Sequence, residues 1–205
     1  MRMLALDHIA VLGESLEEAA AHLEAAVGIP LLPGGRHNRF GTHNRLLGMA
    51  PDFYIEAIAI DPAAEPPTDA RWFGLDHFSG PARLDKWICR VEDMASALDA
   101  LPMAGEPIEV SRGGLSWTMA VPKDGFLPFD GLFPALIQWH GPQIPGRTLP
   151  KGGVRLKQLT VSHPEADALQ TLLASHLSEP LIRFETAAPG LAAELETPLG
   201  GGQLT

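Results

Sequence analysis

The sequence predicts an α+β protein in which paired βαβββ modules form an open, cup-like mixed sheet with helices outside, plus a partial third module. Three observations lead there. A strand-like apolar run, a helix of period 3.6 and three more strand-like runs follow one another in residues 1–60, and the same order returns in residues 83–141. A proline-rich stretch parts the two copies, and a shorter third pass over residues 153–205 begins in the same way. One module alone would leave a sheet face bare, so two must curl about a shared concavity to bury enough apolar area. Such a concavity is where a ligand goes.

Leu4 to Leu12 is a run of strand length whose polar members are Asp7 and His8, so His8 is held in a strand. Ser15 is placed to cap a helix, Glu17 and Glu18 suit its first turn, and Leu16, Ala19, Ala20, Leu23, Ala26 and Val27 form its apolar face before Gly28 stops it. Ile29 to Leu32 reads as a short strand, Pro33 to Asn44 as a glycine-rich loop forming the lip of the cup, and Arg45 to Met49 as a strand. Pro51 and Asp52 turn the chain into Phe53 to Ile60, a strand with Glu56 in its middle. Asp61 to Gly80 is a linker with Pro62, Pro66 and Pro67 and an aromatic cluster of Trp72, Phe73 and Phe78, which would serve as a lid or as an exposed contact surface.

In the second module Trp87 to Val91 is a strand, Asp93 to Leu101 a helix, and Ile108 to Ser111 and Leu115 to Val121 are strands parted by Arg112, Gly113 and Gly114. Leu132 to Trp139 is the fourth. In the third pass Leu156 to Val161 lies against the pattern of Leu6 to Val11, a helix from Pro164 to Leu177 follows, and Leu181 to Phe184 and Leu191 to Glu196 supply strands.

Composition limits the function. With 205 residues and 45% hydrophobic content the chain supports one compact unit with a substantial core. Its net charge of −10 argues against a nucleic-acid partner, which would require a basic stripe. The single cysteine, Cys89, excludes an internal disulfide and suits a reducing compartment. The amino terminus reaches Asp7 before a signal-peptide apolar region could form, and no run approaches a membrane span. The expectation is a cytoplasmic protein handling a small molecule.

Among candidate residues, Glu56 is flanked by Ile55, Ala57 and Ile58 and would be costly to bury alone, so it must meet a metal, an arginine or water. Dry and unpaired, it would gain proton affinity toward the range of a general base. His8 reads equally as a hydrogen-bonded strand histidine or as a ligand. Arg36 and His37 follow two glycines that let them converge on an anionic or carbonyl oxygen, the plainer reading being a polar loop. Asn44 is either a binding residue or a turn former. Arg112 and Trp117 flank a Gly-Gly hairpin, and a cation beside a ring suits a carboxylate or aromatic substrate, although a strand tryptophan, like Trp139, also reads as core. Cys89 reads as a core thiol. The chain has neither a Gly-x-Ser-x-Gly elbow nor a phosphate-binding loop.

Leu6-Asp7-His8-Ile9, Gly34-Gly35-Arg36-His37 followed by Gly41-Thr42 and Asn44, Tyr54-Ile55-Glu56, Arg112-Gly113-Gly114-Leu115-Ser116-Trp117 and Pro134-Ala135-Leu136-Ile137-Gln138-Trp139 occur in order over residues 4 to about 145. Together they resemble the glyoxalase-like domain family of the vicinal oxygen chelate superfamily (glyoxalase, bleomycin resistance protein, dioxygenase). The resemblance implies a glyoxalase-like domain over residues 1–145, with residues 153–205 packing on the same unit. It implies lyase, isomerase or dioxygenase-type chemistry on an oxygen-rich metabolite, and one divalent ion (Zn, Ni, Fe or Mn) held by His8 and Glu56. Glu56 and His8 would be catalytic; Arg36, His37, Asn44, Arg112, Trp117 and Gln138 would bind substrate. The second module departs from the pattern, with Gln138 opposite Glu56 and with Trp87, Ile88 or Arg90 opposite His8. His37 or His140 could complete the ligand set; a metal-free site, or a non-catalytic binding protein with an eroded metal site, is the alternative. Pairing of two copies through their sheets is a further expectation.

Overall fold

The computed structural model describes residues 3–205, so Met1 and Arg2 of the expected first module lie outside the described residues. Strand β1 (Ala5–Leu12) leads into helix α1 (Leu16–Val27). The Ser15 hydroxyl accepts from the Glu18 amide and the Glu18 carboxylate accepts from the Ser15 amide, each at 3.2 Å, and these two bonds satisfy amides that a helix start leaves free. Gly28 ends α1 in the left-handed region at φ 68°. Leu16, Ala19, Ala20, Leu23 and Val27 are buried, as the apolar spacing requires.

The next strand is not where the sequence placed it. Instead of a strand at Ile29 to Leu32 and a loop after it, the glycine-rich segment is itself strand β2 (Leu32–His37), antiparallel to β3 (Thr42–Ala50). Strand β4 (Phe53–Ile60) completes the first module, parallel to β1 and antiparallel to β3. The connection that follows contains a short 3-10 stretch over Trp72–His77, with Trp72 and Phe73 buried rather than exposed for a partner. The second module repeats the order as β5 (Arg83–Arg90), α2 (Met94–Ala100), β6 (Glu106–Arg112), β7 (Leu115–Val121) and β8 (Ala135–His140). It also repeats the wiring, with β5 parallel to β8. The antiparallel pair β1 and β5 is the seam between the modules.

After the short helix α3 (Pro145–Thr148) come β9 (Lys151–Ser162), α4 (Ala166–Leu173), β10 (Ile182–Glu185), β11 (Gly190–Thr197) and β12 (Gly200–Leu204). Here the first strand pairs with the second and third, not the fourth, so the order of elements is kept and the wiring is not. β12 has three glycines and no apolar alternation to announce it; a Cβ at Gly202 would lie 2.6 Å from the Ala26 carbonyl oxygen, so glycine lets β12 press against α1. All strands join one sheet through β9 and β3, in the order β12-β11-β9-β3-β4-β1-β5-β8-β7-β6, with β10 and β2 attached to β9 and β3. No helix among the described residues is long and apolar enough to cross a membrane.

Candidate active site

The floor of the cup is set by register. His8 pairs with Tyr54 and Ala10 with Glu56 across β1 and β4, so alternate residues put His8, Tyr54 and Glu56 on one face. His8 stacks on the Tyr54 ring, centroid to centroid 4.2 Å, and its Nε2 stands 3.5 Å from Glu56 Oε1. Consecutive strand residues would normally point apart, yet Asp7 Oδ1 lies 2.8 Å from His8 Nδ1. The cause is a bulge. Leu6 pairs with Cys89 and His8 with Ile88, which leaves Asp7 as the extra residue, free to swing its carboxylate toward its neighbour. Asp7 also accepts from Arg90 Nη1 and Trp139 Nε1, both at 3.2 Å.

These contacts fix the charges. Burial alone would pull His8 down, but its bonds to Asp7 and Glu56 outweigh this and raise it to about 8, so at neutral pH it is an imidazolium between two carboxylates. Burial would push Glu56 up, but His8 and the Asn44 amide hold it below the ordinary carboxylate value. The condition for a raised Glu56, dryness without a partner, is therefore not met. The carboxylate is ionised and bears one strong bond, from Asn44 Nδ2 to Oε2 at 2.6 Å. The 3.5 Å approach of His8 leaves Oε1 only loosely engaged.

The wall is a chain of neutral acceptors ending in a cation. Asn44 Oδ1 accepts from Arg112 Nη1 and from the Gly35 amide, each at 3.0 Å, which orients the Asn44 amide so that its nitrogen faces Glu56. Arg112 Nη1 also donates to His37 Nε2 at 2.7 Å, and His37 Nδ1 donates to Thr42 Oγ1 at 3.0 Å. Burial, then the Arg112 charge, lower His37 to about 3 and keep it neutral. The two glycines of β2 make this crossing possible. A Cβ at Gly34 would sit 2.1 Å from Asn44 Oδ1, and one at Gly35 2.7 Å from Arg112 Cδ. Tyr54, Trp72, Phe73, Trp117, Trp139 and Met119 supply much of the remaining lining of a cavity of about 30 Å³, room for one or two water-sized groups.

Of the residues expected in the site, His8, Glu56, His37, Asn44, Arg112 and Trp117 line this cavity. Arg36 and Gln138 do not. Arg36 neighbours His37 on β2 and so faces away, its exposed side chain paired with Asp61 Oδ2 at 3.0 Å. Gln138 lies between Ile137 and Trp139, which face the cavity; its own Oε1 turns to the other side and accepts from the Met94 amide at 2.7 Å, at the start of α2. Asp7, Tyr54 and Trp139 belong to the site and were not proposed for it. Asp7 left one signal, as a second polar residue inside an apolar strand.

A family profile described as a glyoxalase-like domain matches residues 6–177. The chain belongs to that family. No curated protein matches it in sequence. The crystal structure of a hypothetical protein from Staphylococcus aureus superposes with a TM-score of 0.62 at 14% identity, covering 96% of this chain and 82% of that one. A methylmalonyl-CoA epimerase from Streptomyces coelicolor, in complex with 2-nitronate-propionyl-CoA, gives a TM-score of 0.44 at 16% identity, covering 68% and 99%. Methylmalonyl-CoA epimerase from Mycobacterium tuberculosis gives 0.44 at 18%, covering 69% and 92%.

The divalent ion that the glyoxalase-like resemblance implies finds a poor donor set here. His8 Nε2 and Glu56 Oε1 are the two atoms placed to reach it. Among the described residues no group of three or more His, Cys, Asp or Glu side chains is arranged to hold an ion. Both replacement histidines are spent, since His37 Nε2 accepts from Arg112 and His140 Nε2 lies 2.8 Å from Thr118 Oγ1. The residues present do not fit a resident metal, and no step of the chemistry is assigned to one.

Proposed function

We propose that this glyoxalase-like chain is a small-molecule enzyme of the lyase or isomerase type, moving a proton at a carbon next to a carbonyl, with Glu56 as base. The observation that carries this reading is the buried His8–Glu56 pair at the cavity floor, with Arg112 joined to it through Asn44. Glu56 Oε1 takes the proton, and the C–H electron pair becomes the enolate. A carboxylate held below its ordinary pKa is a weak base, so the reaction depends on stabilising the enolate oxygen. Two cations are at hand: the His8 imidazolium, which can donate through Nε2, and the Arg112 guanidinium. Delivery of the proton from Glu56 to a different carbon of the enolate gives an isomerase, and loss of a neighbouring leaving group gives a lyase.

The acidic charge of the chain supports a small-molecule partner over a nucleic acid, and a cytoplasmic setting and pairing of two copies remain parts of the same proposal. The test is C–H exchange in D2O on a panel of small carbonyl compounds, followed by proton NMR with the native protein and with Glu56→Gln. Loss of about 100-fold or more in exchange on Glu56→Gln supports the base assignment. Equal exchange by both proteins overturns it, and saturable binding without any exchange favours the two-donor site as that of a binding protein.

A further inference from the structure

Two residues that line the cavity, Trp72 and Arg112, each carry a polar group without a matching partner. Trp72, from the connection between the modules, lines the cavity and is buried, and its Nε1–H has no acceptor among the described residues. An indole N–H buried without a partner costs free energy that a bound acceptor would recover. The second group is the guanidinium of Arg112. Its bonds to His37 Nε2 and Asn44 Oδ1 use Nη1 and are to neutral atoms, so neither partner offsets its charge. The floor, by contrast, balances the buried carboxylates Asp7 and Glu56 against His8 and Arg90. A substrate anion is therefore attracted to the Arg112 end, where a charge is left without a counterion.

We propose that Arg112 and Trp72 Nε1–H together hold the carboxylate of a small 2-oxo acid, so that the carbon beside its carbonyl faces Glu56. The proposal rests on the proton-transfer reading for the second half of that geometry and stands by itself for the first. Arg112 supplies charge and a planar fork matched to a carboxylate, and Trp72 supplies one further donor. Phe73, Trp117, Met119 and Ile137 make the remaining lining apolar, which suits a short hydrocarbon remainder.

Calorimetric titration of the native protein with pyruvate and 2-oxobutanoate, the smallest such acids with a C–H beside the carbonyl, each against its primary amide, tests this directly. The acids are expected to bind about 10- to 100-fold more tightly than the amides, the range of a charge-assisted hydrogen bond. Arg112→Gln should erase that preference. Trp72→Phe, which keeps a ring in place, should weaken acid binding by about tenfold and amide binding less. Equal binding of acid and amide by the native protein, binding of neither, or a preference that survives both substitutions overturns the proposal. Acid-selective binding that yields no exchange in D2O leaves it standing and removes the proton-transfer reading instead.

Discussion

Asp7 Oδ1 and His8 Nδ1 lie 2.8 Å apart although their residues are consecutive in a strand, because the bulge at Asp7 turns both side chains to the same side. The carboxylate is what keeps His8 charged while buried. Asp7→Asn should lower the His8 pKa from about 8 to the ordinary value of 6.5 or below, since burial then prevails over the remaining Glu56 contact. Titration of the His8 ring signals by NMR checks this; an unchanged midpoint would show that Glu56 alone charges the ring.

Two buried histidines shape stability against pH in opposite directions. His8, raised to about 8, contributes stability that is complete below 6.5 and is lost as pH rises through 8, an effect of about 2 kcal/mol. His37, lowered to about 3, stays neutral when folded, so its contribution is complete above 6.5 and is lost as pH falls below that, where the unfolded imidazole takes up a proton. Stability should peak near pH 6.5. Urea midpoints across pH 4–9 for the native protein and His37→Gln provide the measurement: the variant should lose the steep fall between 6.5 and 4.5 and keep the alkaline one.

The paired glycines of β2 should respond differently to alanine. At Gly34 the new Cβ meets Asn44 Oδ1 at 2.1 Å and the Asn44 backbone oxygen at 2.3 Å, and backbone cannot yield; about 3 kcal/mol should be lost. At Gly35 it meets the flexible Arg112 side chain at 2.7 Å, which can move aside. Gly35→Ala should cost under about 1 kcal/mol of stability yet weaken acid binding, because the guanidinium is displaced. Denaturation beside calorimetry separates the two.

Gln138 should prove structural. Gln138→Ala removes the acceptor of the Met94 amide at the start of α2 and should cost about 1 kcal/mol, with D2O exchange unaltered. A loss of exchange at full stability would return Gln138 to the substrate site.

The chain order of elements was legible because hydrophobic period and caps are local properties. Ser15, Glu18 and Gly28 fix α1 within one stretch of chain, and the second module repeats the first in plain sequence. His8 and Glu56 could be nominated for the same reason, being polar residues inside apolar strands. Membership of β2 was not legible, because Gly34 and Gly35 lack side chains to show a period, and their role depends on Asn44 and Arg112 crossing from other strands.

What the sequence by itself determined is the α+β class, the twofold βαβββ repeat and a short set of polar candidates, since each follows from spacing along the chain. Only the tertiary structure decided which candidates meet. The bulge brings Asp7 to His8, strand parity turns Arg36 and Gln138 away, and the curl of the sheet carries Arg112 across to Asn44 and His37. These outcomes depend on register between strands far apart in sequence, where a shift of one residue reverses every side chain. No local pattern records it.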